Sequence, residues 1–206
     1  FTINGSERMR IDSSGRVGIG QSTNLGNYSS DADRLVVGAG NPQEGITIIS
    51  GQSVGHHGSI YFGDGTGSTN SKRGQIRYEQ NTEAMSFATA GTEKLRIDIS
   101  GRFLLGTTAS RTIAGHSPRF LLNGDDYNQA TLQITSNQNG TSGGFLQISH
   151  QRSGSAGGNT ILQDGDDFGR IRFTGGDGTN IDSRGAEIKA QVDGTPGVDD
   201  MPGRLI

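Results

Sequence analysis

The chain has 206 residues, of which 35 are glycine, four are proline and none is cysteine or tryptophan. Glycine therefore stands at about 17%, against a usual ~7%, while hydrophobic residues reach 30% and aromatics 6%. Lys and Arg number 18 and Asp and Glu 21, a net charge of −3. This composition excludes collagen, because no Gly-X-Y period exists, and excludes a helical membrane span, because no apolar run approaches the ~20 residues a span needs. The balanced charge gives no electrostatic case for nucleic acid or an anionic membrane. The absence of cysteine rules out a disulfide framework and a thiolate zinc site. So few apolar residues give little material for a large private core. The composition thus suits an extended β-rich chain that completes its core with other chains.

In chain order, residues 1–20, FTINGSERMRIDSSGRVGIG, open a unit that returns at 87–106 as FATAGTEKLRIDISGRFLLG, ten of the twenty positions being identical at an offset of 86. Met9 and Ile11 alternate with Arg8, Arg10 and Asp12, the period of a half-buried strand. Ser13-Ser14-Gly15 reads as a three-residue hairpin loop with Gly15 in the left-handed position. That register pairs Asp12 with Arg16, Ile11 with Val17 and Met9 with Ile19. The second copy repeats it as Asp98 with Arg102, Ile97 with Phe103 and Leu95 with Leu105. Short strands cut by glycine turns are expected at 35–37, 46–49, 59–62, 75–78 and 85–88, then at 120–122, 130–135, 145–149, 160–163, 170–173 and 186–191. A single helical turn is expected at 82–85 or 110–114, and nothing more helical.

RLVVG at 34–38 is similar to RFLLNG at 119–124, one residue out of phase, and GITIIS at 45–50 to TLQITS at 131–136. GSIYFGDGTG at 58–67 is similar to GRIRFTGGDGT at 169–179 near a spacing of 110, so the second copy is expected to carry an insertion of roughly 25 residues. Residues 153–159 and the acidic DGDD at 164–167 belong to that insertion. The organisation expected is a first shaft repeat over 1–86 and a second over 87–206, ending at the start of a third. With no initiator Met at Phe1 and an apolar-looking strand at Ile206, the chain is expected to be a segment of something longer. Modular lengthening of this kind suits a rod, which tolerates duplication, better than an enzyme, whose site needs unique geometry.

ERMRIDSSGRVGIG resembles repeats of the long tail-fibre and tail-spike proteins of tailed phages, particularly phages of cyanobacteria. GTPGVDDMPGRLI at 194–206 and RGQIRYEQNTEAMSF at 73–87 look like the segments that lead into such hairpins in that family. The resemblance covers nearly the whole chain. It implies an all-β, elongated, repetitive fibre of short strands and hairpins, intertwined as a homotrimeric shaft. A β-prism, a triple-stranded β-helix and stacked small β-domains all remain open. It also implies a virion protein assembled in the host cytoplasm, with other tail or baseplate proteins as partners and a host-surface glycan or protein engaged through the fibre tip. The family often carries a C-terminal intramolecular chaperone that releases itself with a Ser/Lys pair; no matching segment is present here, and those residues are not carried over.

No catalytic, cofactor-binding or metal-binding residue is assigned from the sequence, and no cofactor or enzyme activity is expected. His56 and His57, being adjacent, point to opposite faces of a strand and cannot chelate one ion within a chain, although three-fold symmetry would gather copies of either. His116 and His150 are isolated. The acidic groups Asp125/Asp126, Asp164/Asp166/Asp167 and Asp199/Asp200 are the candidates for glycosidase carboxylates, set against the lack of any Trp platform for sugar. FGDGTG at 62–67 and GGDGTN at 175–180 are calcium-turn candidates, with solvated Asp-Gly turns as the plainer reading. The alternatives to a fibre shaft are a polysaccharide depolymerase on a β-helix spike and a bacterial surface adhesin.

Overall fold

A computed structural model describes residues 1–20, 25–27, 34–38 and 44–206. Among these the fold is all-β, with fourteen strands, two single-turn 3₁₀ segments (Leu25–Asn27 and Asn70–Lys72) and no α-helix. The chain divides into two compact units, one holding residues 1–60 and 77–81, the other 61–76 and 82–206.

In the first unit β1 (Thr2–Ile3) and β2 (Ser6–Glu7) form a hairpin, and β3 (Met9–Ile11), β4 (Val17–Ile19) and β5 (Leu35–Val37) form a three-stranded sheet in that order. β3 and β4 pair antiparallel as Met9 with Ile19 and Ile11 with Val17, the register read from the sequence. β5 then adds to β4 in parallel, Val17 opposite Leu35. β6 (His57–Phe62) and β7 (Gly74–Glu79) are hydrogen-bonded neighbours, and the boundary between the units falls within both.

In the second unit β8 (Ala84–Thr89), β9 (Thr92–Ile97), β10 (Phe103–Leu105) and β11 (Phe120–Leu122) lie side by side in that order. β9 and β10 pair Ile97 with Phe103 and Leu95 with Leu105, again as the spacing requires, and β11 adds to β10 in parallel. The first module is thus rebuilt in the second, with Phe103 stacked on Phe120 at 5.3 Å where the first copy sets Val17 beside Leu35. A long hairpin of β12 (Asp167–Gly175) and β13 (Ser183–Val192), extended by β14 (Gly203–Leu205) on the β13 edge, completes the unit.

Both modules enter through the same two-residue turn. Asn4 and Gly5 have φ of 51° and 77°, and Ala90 and Gly91 have 52° and 76°, left-handed at both centres. That geometry matches the twist of the flanking strands, and Asn-Gly is its strongest sequence signal. The short hairpin β1–β2 closed by it is absent from the expected strands.

Four expected strands do not form. Residues 46–49, 130–135, 145–149 and 160–163 belong to no ladder, although their alternation is that of strands. Neither expected helical turn forms; 82–83 is a turn leading directly into β8, and 113–116 is a tight turn closed by a bridge between Ile113 and His116. The single-turn segments arise elsewhere, at Leu25–Asn27 and Asn70–Lys72.

One packing contact recurs within the units. A branched or aromatic side chain sits over the glycine that opens the next extended segment. A methyl group built on Gly58 would lie 3.2 Å from Ile48, and one on Gly74 3.2 Å from Phe62. At the positions 86 residues on from the first pair, a methyl on Gly144 would lie 2.7 Å from Ile134, and one on Gly169 would strike Ile148. Gly144→Ala is therefore expected to destabilise the fold by roughly 1–3 kcal/mol. Adding Ile134→Ala should cost less in the Gly144→Ala background than in the native one, a coupling that denaturant titration of the four proteins of the cycle measures.

Candidate functional site

The two hairpin tips are heavily bonded, and the two copies agree bond for bond. Asp12 accepts hydrogen bonds from the Ser14 N–H at 2.9 Å, the Arg16 N–H at 3.0 Å and Arg16 Nε at 2.7 Å. Asp98 accepts from Ser100, Arg102 N–H and Arg102 Nε at the same three distances. An arginine from the third strand then reaches back to the loop, Arg34 donating to the Ser14 carbonyl at 2.8 Å and Arg119 to that of Ser100. Gly15 (φ 75°) and Gly101 (φ 69°) supply the left-handed loop position. Below the tip a forked pair repeats as well, Arg10 on Glu7 and Arg96 on Glu93, each through Nε and Nη2. These bonds set the carboxyl equilibria. The Arg16 N–H, its guanidinium and the Ser14 N–H hold Asp12 below its ordinary range against desolvation. At Asp98 burial pulls upward, and the corresponding donors of Arg102 and Ser100 outweigh it. The sequence match of RLVVG with RFLLNG already set Arg34 beside Arg119; their bond to the loop carbonyl is what sequence reasoning missed.

The candidate site is the β12–β13–β14 sheet, whose two faces differ sharply. Asp167, Arg170, Arg172, Glu187 and Lys189 share one face. Arg172 Nε donates to Glu187 at 2.8 Å, Lys189 lies 3.5 Å from Asp167, and Arg170 bonds Asp167. Opposite pairs Ile171–Ile188, Phe173–Ala186 and Ala190–Leu205 build the other face. Val192 is fully covered at one end of that face, but along the rest Ile171 and Ile188 are 44% exposed and Phe173 53%, and on the β14 edge Leu205 is 75% exposed. A cleft of about 150 Å³ runs along it beside Ile148 and Phe168.

Over the charged face lies a second, larger groove of about 550 Å³, between the turn at Ile113–His116 and Arg170, Arg172 and Thr174. The Ala114 N–H pins that turn to Asp182 at 2.8 Å. Both guanidiniums there are engaged by Asp167 and Glu187, so the groove is close to neutral.

The residues considered from the sequence are scattered into structural bonds. Asp126 caps Gln129 through its N–H and its side chain, Asp164 accepts from the Gly194 N–H, and Asp166 accepts from the Gln163 N–H. Asp199 sits at φ 56° in a turn bridged by Gly197 and Asp200. His57 Nδ1 faces the Gly55 carbonyl and His150 Nδ1 the Asp167 carbonyl, while His116 lines the larger groove. Among the described residues no group of three or more His, Cys, Asp or Glu is arranged to hold a metal ion. The calcium reading of the Asp-Gly turn at 175–180 meets a specific obstacle. Asp177 spends its oxygens on the Thr179 and Asn180 N–H groups and on the Ser183 hydroxyl. No protein family, curated protein or solved structure matches the chain.

Those donors, the Asn180 N–H foremost, then the Ser183 hydroxyl and the Thr179 N–H, lower the Asp177 carboxyl to about 2. A carboxyl depressed in the folded state binds protons more readily once unfolded. Its stabilisation of the β12–β13 turn is thus complete above about pH 4 and is lost as pH falls toward 2. A carboxyl-carbon NMR titration should place the Asp177 midpoint near 2 in the native protein and move it upward in Ser183→Ala.

Proposed function

We propose that the chain is a length of the shaft of a bacteriophage tail fibre, in which three copies run together and carry receptor-binding tips away from the virion. The observation that carries this reading is the balance between covered and open apolar surface. The buried apolar side chains among the described residues are Leu25, Ala84, Leu104, Leu162 and Val192. Many more large apolar side chains are left in water, among them Ile49 at 88%, Phe145 at 76%, Leu205 at 75% and Phe173 at 53%, and open apolar surface on this scale is what contacts with other chains cover.

Identical copies supply that cover most economically. Each brings the same half-finished sheets, so one apolar face per chain, turned toward a common axis, makes a core that none builds alone. The repeated modules support the same reading, since duplication lengthens a rod without disturbing a site. The assignment to a tail fibre in particular rests on the resemblance of ERMRIDSSGRVGIG and of the segments leading into it. In that setting the work is mechanical, with other tail or baseplate proteins at one end and a host-surface glycan or protein met at the other.

Light scattering after size exclusion on the full-length protein tests this. A molar mass three times that of the chain is the expected result; a mass of one chain overturns the shaft.

A further inference from the structure

Residues 131–149 lie outside any ladder, two strand-patterned stretches joined by a bend at 139–141, and none of them makes a backbone–backbone hydrogen bond. Their apolar side chains stand in water: Leu132 is 68% exposed, Ile134 50%, Phe145 76% and Leu146 65%. Residues 45–50, the same segment in the first copy, are likewise outside any ladder, with Ile46 and Ile49 exposed. Within the chain, 131–135 and 144–149 touch through Ile134 over Gly144, a side-chain contact that leaves the hydrogen-bonding edges of both stretches unused. Strand-patterned backbone with open donors and acceptors is a template for pairing.

The charge pattern identifies the partner. Residues 131–149, TLQITSNQNGTSGGFLQIS, contain no charged side chain, and neither do 45–55, GITIISGQSVG. At the chain's 19% charged content, a stretch of nineteen would carry three or four. Where charged residues lie on strands within the chain they meet the opposite sign, Arg172 facing Glu187, with Arg10 and Arg96 in forked pairs. Cross-strand pairs of opposite charge stabilise, and like charges directly opposite destabilise. A strand that meets a copy of itself in parallel register sets each residue beside its own kind, so charge there only repels. Glutamine, threonine, leucine and isoleucine carry no such penalty. The surface is also continuous with the open sheet face, because Ile148 packs on Gly169 and lines the cleft with Ile171 and Ile188.

We infer that residues 131–149, and 45–50 with them, are the inter-chain strands of the assembly, their backbone and apolar side chains completed by the same segments of neighbouring copies. This inference rests on the shaft reading in needing copies side by side. It adds that the hairpin modules close within each chain, while these uncharged stretches close between chains.

The test is hydrogen exchange read by mass spectrometry on the full-length protein, with the molar mass of the same sample measured by light scattering. Because the described chain has no cysteine, Ile134→Cys and, as a milder second variant, Gln133→Cys can report proximity by disulfide formation. The expected result is a multimer in which 131–149 exchange about a hundredfold or more slower than an unstructured peptide, with at least one variant cross-linking copy to copy; Thr174→Cys on the charged face should not cross-link. A multimer in which 131–149 exchange at the unstructured rate overturns this inference and leaves the shaft standing. Protection without self-cross-linking in either variant assigns the cover to a different partner and also overturns it. A single-chain mass removes the shaft reading and this inference together.

Discussion

A sheet needs both of its faces provided for, and the described residues cover only part of the apolar surface they build. Val192 is buried, yet Ile171 and Ile188 on the same face are nearly half in water and Leu205 is more open still. The same is true of the smaller modules, where Leu104 is fully buried while Phe120 in the adjoining strand is 53% exposed. With apolar residues at 30%, the chain has little material for a second layer. Everything else in the fold follows from working within that limit: strands of two to ten residues, local hairpins, and ion pairs in place of a core.

The ion pairs are where the local order is concentrated. At each hairpin tip one aspartate collects two backbone N–H groups and a guanidinium, and a distant arginine ties the third strand to the loop carbonyl. Exposed pairs of this type contribute little one at a time. Their value here is geometric: they define the loop, the register and the start of the parallel strand with bonds that need no hydrophobic backing. A module organised in this way can be copied along a chain without retuning a core, which accounts for the close agreement between two copies only half identical in sequence.

Glycine does a related job between successive segments. Ile48 and Phe62 lie tightly over a glycine, and Ile134 and Ile148 lie closer still, where an added methyl would clash. At Ile48 over Gly58 and Ile134 over Gly144 a side chain meets backbone while 46–49 and 131–135 stay outside any ladder, which is the opposite of what a closed monomeric sandwich does with its strands. High glycine content in this protein is therefore a means of stacking segments, beyond the turns that positive φ requires.

Period-two alternation determined that Met9, Ile11, Val17 and Ile19 share a face, and Gly15 and Gly101 determined the loops, because register in a short hairpin is a local matter of turn length and pleat. The duplication and the all-β class were readable for the same reason. Alternation alone did not separate 186–191, which ladders, from 130–135 and 145–149, which do not, since a strand pattern states which face is apolar and not who supplies the hydrogen bonds. The third-strand arginines, Arg34 and Arg119, were equally hidden, because their carbonyl partners lie 20 and 19 residues away. Tertiary structure decided those points: it brought distant backbone to the hairpin tips, and it left the uncharged segments without a ladder inside their own chain.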